Sequence, residues 1–241
     1  MAIEAKKLTY KYPDGTVALN GIDLTIHHGE RVALLGPNGA GKSTFLMHLN
    51  GSLLGNGVLK LDGIESNKKS LSQIRSLVGL VFQDPDDQLF MTTVFDDVSF
   101  GPINQGLSQA EVIKRVRGAL EMVDMLWASN KSAHHLSFGE KKRIALATVL
   151  SMNPKILVLD EPTSNLDPRA RRRLESLLAN LRYTMIIATH DLDFAWRLCE
   201  RSVILSGGRI VADGPTCEIL LDKELLELHG LEIPMSALIS S

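Results

Sequence analysis

Gly36-Pro37-Asn38-Gly39-Ala40-Gly41-Lys42-Ser43-Thr44 decides how the rest of the chain is read. The stretch matches the phosphate-binding pattern G-x-x-x-x-G-K-[ST]. Ahead of it, Val32-Ala33-Leu34-Leu35 is a short apolar run that reads as a buried strand. Behind it, Phe45, Leu46 and Leu49 recur at helical spacing. Strand, glycine loop and helix together make an anion cradle. Glycines let the backbone turn tightly and bring its N–H groups to a phosphate. The helix N-terminus adds unpaired donors and a partial positive charge. Lys42 would reach the β- and γ-phosphates, and the Ser43 hydroxyl would ligand Mg²⁺. The loop by itself specifies a nucleoside triphosphate, but neither its base nor the use made of its energy.

With 241 residues, the chain has room for one large domain or for a core with a subdomain. Its apolar content of 44% supplies a sizeable core, and its net charge of −2 argues against a nucleic-acid binder relying on bulk positive charge. Cys199 and Cys217 lie far apart and match no metal or redox spacing. No apolar run approaches the length of a membrane span, and the first residues are no signal peptide. The sequence therefore predicts a protein of the cytoplasm that can sit on a membrane by docking to an integral partner.

Residues 3–30 read as β-rich, with a turn at Pro13-Asp14-Gly15 and a half-buried strand carrying Ile22, Leu24 and Ile26. Residues 58–63 are a further short strand. Leu77 to Phe82 is a buried strand that stops at Gln83, because Pro85 disfavours helix at Asp84. From 88 to 152 helical signals take over. Ser108-Gln109-Ala110-Glu111 and Ser137-Phe138-Gly139-Glu140 both read as capping boxes. Ile156-Leu157-Val158-Leu159 is an apolar strand ending in Asp160-Glu161, and Asp167-Pro168 opens the next helix. Met185 to Ala188 is a strand ending at Thr189-His190. The expected organisation is a single domain over 1–241. Its α/β core comprises 1–87 and 153–215, a helical subdomain is inserted at 88–152, and helices and a tail follow at 216–241.

Four predicted strands thus end at Gly36, Gln83, Asp160/Glu161 and His190. Ligands of open parallel sheets bind beyond the carboxyl ends of the strands, so these four endings can converge on one nucleotide. Asp160 is placed where a Mg²⁺-associated carboxylate would sit, and Glu161 is assigned to the attacking water as general base. Gln83 can bridge metal and water, and His190 can contact the γ-phosphate.

On these motifs the chain resembles an ATP-binding cassette (ABC) ATPase over essentially its whole length. Residues 36–44 match Walker A, and Ile156 to Thr163 match Walker B with the catalytic glutamate. Ser164-Asn165-Leu166-Asp167 matches the D-loop, Gln83 the Q-loop and His190 the switch histidine. Leu136-Ser137-Phe138-Gly139-Glu140 occupies the place of the signature L-S-G-G-Q, with Phe138 and Glu140 departing from consensus. The resemblance implies a P-loop NTPase (RecA-like) core with an N-terminal antiparallel β subdomain and an inserted α-helical subdomain. It implies ATP and Mg²⁺ as cofactors and Tyr12, rather than Tyr10, stacked on adenine. It also implies a head-to-tail homodimer in which Ser137 and Gly139 of one copy meet the ATP of the other. Glu140 has two readings, a helix cap bonding back to Ser137 or an acceptor for a ribose hydroxyl, and the cap is favoured.

Gln83-Asp84-Pro85-Asp86-Asp87-Gln88-Leu89-Phe90 and Phe95 to Pro102 resemble the energy-coupling-factor (ECF) transporter ATPases. Leu136 to Arg143 and His48-Leu49-Asn50-Gly51 are similar to their cobalt and nickel branch, the CbiO-type ATPases. That resemblance implies a peripheral subunit on the cytoplasmic face of the membrane. It would dock integral coupling and substrate-binding subunits near 83–100 and power cobalt uptake, with nickel or a vitamin as the alternative cargo. The adjacent pairs His27-His28 and His134-His135 are read as surface or structural residues rather than a metal set. A soluble ABC ATPase acting on DNA or the ribosome is the competing class. The long coiled coils or paired cassettes usual there are absent from the sequence.

Overall fold

A computed structural model describes residues 1–240, so Ser241, the last residue of the expected tail, lies outside the described residues. The chain opens with an antiparallel pair, β1 (Ile3–Lys11) and β2 (Val17–Ile26), joined through the Pro13–Gly15 turn. The inward alternation expected over 22–26 is present, and Leu19 is also buried, across a break at exposed Asn20 and Gly21. β3 (Arg31–Leu35) runs into the glycine loop and α1 (Lys42–Leu49). β4 (Asn56–Leu61) returns to pair with β1, and the two-residue β5 (Ile64–Glu65) closes a first sheet of order β2-β1-β4-β5.

A helix that the sequence pattern did not signal, α2 (Leu71–Leu77), leads into β6 (Val78–Val81). It buries only Ile74, so it carries no apolar stripe to detect. The helical stretch follows with α3 (Val94–Asn104), α4 (Gln109–Met122) and α5 (Phe138–Leu150). Then β7 (Ile156–Asp160), α6 (Pro168–Asn180), β8 (Thr184–Ala188), α7 (Leu192–Leu198), β9 (Arg201–Ser206) and β10 (Arg209–Pro215) alternate. α8 (Thr216–Ile219), α9 (Lys223–Leu228) and α10 (Met235–Ser240) end the chain.

The second sheet has the order β10-β9-β3-β8-β7-β6, parallel throughout except for the edge strand β10. Its parallel strands are buried on both faces, which is why they read as apolar runs, whereas the edge strand β10 is half-exposed along its length. Val32, Leu34, Val158, Ile186 and Val203 pack with Phe45, Leu46 and the first sheet. Their neighbours Ala33, Leu35, Leu157, Leu159, Ile187 and Ile204 face the opposite way, into a core shared with α3 to α7. Ala188 pairs with both Leu34 and Asp160. β3, β8 and β7 therefore end level, and their polar termini emerge at one edge.

Two local details show how the helical layer is held. Pro102 lies inside α3 and has no N–H for the carbonyl of Val98. The buried Ser151 hydroxyl, from just beyond α5, donates to that carbonyl instead at 2.8 Å. The two expected capping boxes differ. Ser108 accepts the Glu111 N–H at 3.4 Å, but the Glu111 carboxylate turns to Arg115 at 2.9 Å. A guanidinium one turn along outcompetes a single backbone N–H for that charge. In the second, Glu140 does reach back and accepts both the N–H and the hydroxyl of Ser137, at 2.8 and 2.7 Å.

Candidate active site

The glycine loop has a backbone that only glycine can follow at two points. Gly36 has φ +143°, and a Cβ there would lie 2.1 Å from the carbonyl oxygen of Leu205. Gly41 has φ +104°, and its Cβ would lie 2.4 Å from the Ala18 carbonyl oxygen. The loop thus threads between β9 and β2 before entering α1. The buried Lys42 ammonium donates to the carbonyls of Gly36 at 2.7 Å and Pro37 at 3.1 Å. Desolvation lowers its pKa, opposed by Glu161 and Asp160.

The loop floors a cavity of about 1000 Å³. Tyr12, all of Gly36 to Thr44, Gln83, Asp160, Glu161 and His190 line it, so the structure brings these expected residues together. The Tyr12 hydroxyl lies 3.0 Å from Thr44 Oγ1, which ties the ring to the loop. Tyr10 sits beneath, edge-on to Tyr12 at 5.0 Å and to the buried His48 at 4.8 Å. Tyr12 is the aromatic presented to the cavity. Gln83 also lines a smaller cavity of about 200 Å³ with Asp84, Asp87, Phe138 and Asn165, and so joins the nucleotide cavity to the helical layer.

At the far end, Asp160 is 9% exposed, and its Oδ1 is buried with no hydrogen-bond partner among the described residues. Burial raises its pKa, while a hydrogen bond from Ser43 works the other way. Glu161 is buried and has φ +43°, a left-handed conformation costing a residue with a Cβ roughly 1–2 kcal/mol. That conformation turns its carboxylate toward the end of β8. There Oε2 lies 2.8 Å from His190 Nδ1 and accepts from the Thr189 hydroxyl at 3.3 Å. The Glu161 carbonyl is held as firmly. It accepts from Lys142 Nζ at 2.9 Å, from Ser164 Oγ at 2.8 Å and from the Ser164 N–H at 3.2 Å. Lys142 is 2% exposed, and desolvation pushes its ammonium down to about 8.

Ser137, Gly139 and Glu140 do not line the nucleotide cavity. They line a separate one of about 360 Å³ with Arg143, Asp167, Arg169 and Arg173. Glu140 is held below the usual carboxylate range, first by the Ser137 hydroxyl and then by its N–H. The helix-cap reading therefore describes its position in the single chain.

Several cavity residues carry no signal in the sequence pattern. Gly230 to Met235 return across the site, pinned where Asp193 Oδ1 accepts from the Ser236 N–H at 2.7 Å and hydroxyl at 2.6 Å. Asp191 caps α7 and pairs with Arg171 at 2.7 Å. Only Asp191 had a readable signal, as an acidic residue three places before Phe194 at a helix start.

A triphosphate loop that meets two strand-end carboxylates is built for nucleoside-triphosphate hydrolysis. Residues 19–164 match the ABC transporter family. A protein of Geobacter sulfurreducens with the name "Putative ABC transporter ATP-binding protein" is 54% identical over 97% of this chain and 94% of its own length. The energy-coupling factor transporter ATP-binding protein EcfA of Methanococcus maripaludis is 48% identical over 98% of this chain and 87% of its own. Among solved structures, CbiO1 of Clostridium perfringens, part of the ABC transporter complex CbiONQ, superposes with a TM-score of 0.83. It is 40% identical and covers 99% of this chain and 98% of its own. The dimeric cassette MJ0796, bound to ADP and phosphate, gives a TM-score of 0.81 at 29% identity, over 89% of this chain and 98% of its own. The chain belongs to the ABC transporter family and is an ATPase. Within the family it is an ATP-binding subunit of the ECF type, and CbiO-like.

Proposed function

We propose that two copies of this chain pair head to tail, hydrolyse two ATP at their interface and power cobalt uptake across the cytoplasmic membrane. The observation that carries the dimer is the separation of the signature from the nucleotide cavity. One chain offers a triphosphate site and, in another place, a helix start with donors suited to a γ-phosphate. Each is half of a site. The dimeric state of MJ0796 supports the same reading.

Within one half, Tyr12 stacks on adenine, and Gly36 to Thr44 with Lys42 hold the phosphates. The orphaned Asp160 Oδ1 beside Ser43 fits a divalent cation, so Ser43, Asp160 and Gln83 are the residues that would hold Mg²⁺. Bound there, Mg²⁺ would neutralise charge on the phosphates. Glu161 accepts the proton of the attacking water, and His190 keeps that carboxylate directed. Ser137 and Gly139 of the second copy close over the γ-phosphate, a step in which Glu140 must release Ser137.

Docking of integral coupling and substrate-binding subunits near 83–100 is supported by exposed Phe90 and Phe100, whose rings meet edge-on at 5.3 Å, with exposed Ile103 beside them. No helix among the described residues is long and apolar enough to cross a membrane. Cobalt as the cargo rests on the resemblance of Leu136 to Arg143 and of His48 to Gly51 to the cobalt and nickel branch. Purification from membranes, reconstitution in vesicles and radioactive cobalt uptake test the reading. ATP-dependent cobalt accumulation, abolished by Glu161→Gln, is expected. Isolation with ribosomes or DNA and without an integral partner would overturn the importer. Uptake of nickel or a vitamin with no cobalt would overturn the cargo alone.

A further inference from the structure

We propose that Lys142 is a positioning residue for ATP hydrolysis: from the helix that begins at the signature, its side chain fixes the turn that aims Glu161. The inference rests on reading Glu161 as the group that polarises water.

The turn after β7 needs fixing. Glu161 holds a left-handed backbone that the chain does not favour without glycine, and its carboxylate direction depends on that backbone. Lys142 is on α5, in the other layer of the molecule, yet its Nζ reaches the Glu161 carbonyl at 2.9 Å and Ser164 Oγ at 3.3 Å. The Phe138 ring lies 5.6 Å from the same ammonium and covers it.

The arrangement is more than a satisfied carbonyl. The Ser164 hydroxyl and N–H already donate to the Glu161 oxygen. A fully buried ammonium is a costly way to add a third donor. What it adds is a tether between two elements that local turn bonds cannot connect. It also places a positive charge near Asp84, Asp160 and Glu161, all of which favour its protonated form. Lys141 and Arg143, its neighbours in sequence, serve other partners. Lys141 pairs with Asp86 at 2.7 Å, and Arg143 donates to the Val123 carbonyl at 3.2 Å. Of the three consecutive basic residues, only Lys142 meets the catalytic turn.

Steady-state ATP hydrolysis by Lys142→Met, Lys142→Gln and Glu161→Gln tests this. Lys142→Met keeps the length and loses the donor. Its kcat should fall about tenfold or more, because a small misplacement of a reacting group is costly. Its KM for ATP should stay within about threefold, as expected when ground-state binding is untouched. Lys142→Gln retains an N–H and should recover a substantial part of the lost kcat. Wild-type kcat in Lys142→Met would overturn the proposal, as would equal losses in the Met and Gln variants. If Lys142→Met does not fold, Lys142→Gln decides in its place, since its amide is a shorter, uncharged donor to the same carbonyl. A kcat lowered a few-fold at unchanged KM supports the tether, and wild-type kcat overturns it. Should Glu161→Gln hydrolyse like wild type, the role of Glu161 itself fails. Should Glu161→Gln be inactive while Lys142→Met is normal, only the present inference fails.

Discussion

Glu161 is held at both of its polar ends, by His190 and Thr189 at the carboxylate and by Lys142 and Ser164 at the carbonyl. The general base proposed here needs that constraint, because its oxygen must meet one proton of one water. Glu161→Gln keeps the shape and removes the basicity. Hydrolysis should fall roughly 10²–10⁴-fold while ATP binding is retained. Fluorescent-nucleotide titration beside a single-turnover assay measures both, and undiminished turnover would exclude Glu161 as the base. Asp160, Glu161, Gln83 and His190 were readable because each follows an apolar run, and a buried strand has to end where polar residues begin. Lys142 was readable only as one of three basic residues. Which of the three turns inward depends on where the residue 161–164 turn falls against α5, and that is a tertiary fact. The returning segment at 230–235 had no signal for the same reason.

At the scale of elements, helix α3 depends on groups far from it in sequence. Ser151→Ala would leave the Val98 carbonyl unpaired beneath Pro102. Chemical denaturation should show a loss of about 1–3 kcal/mol, the cost of an unsatisfied buried acceptor. An unchanged midpoint would mean that another donor takes over.

Asp97 gives a second test of this layer. Its Oδ1 accepts the N–H groups of Phe90 and Met91 at 3.0 Å each, while its Oδ2 is buried without a hydrogen-bond partner among the described residues. Desolvation raises its pKa against the lowering effect of those N–H groups. The native state therefore binds more protons than the unfolded chain from the ordinary carboxylate value of 3.8 up to the raised one. Stability from this group is present below that window and is lost as pH rises through it. Thermal midpoints of Asp97→Asn, followed from about pH 4 to pH 8, should fall less steeply with pH than those of the wild type. Parallel slopes would contradict the assignment. The pattern of α4, α5 and α6 was legible from caps and apolar stripes. α2 was not, since one buried residue makes no periodicity.

For the whole molecule, the parallel sheet is the frame. Buried on both faces, it delivers the glycine loop, Gln83, the two carboxylates and His190 to one edge. The helical layer carries the signature to a different place. The ordered motifs made this architecture legible, because a phosphate loop and a signature on one chain have fixed places in a known fold. Their separation in one chain is what the resemblance implied, and the two lie on different cavities. On the proposed reading, ATP bridges two copies, and closing the bridge is the useful motion.

The most direct test is the mass of Glu161→Gln in solution, by sedimentation or light scattering, with and without ATP. A monomer without nucleotide that becomes a dimer holding two ATP is the predicted result, with Ser137→Arg in the same background blocking the change. A chain that stays monomeric with its nucleotide site saturated would contradict the two-copy clamp.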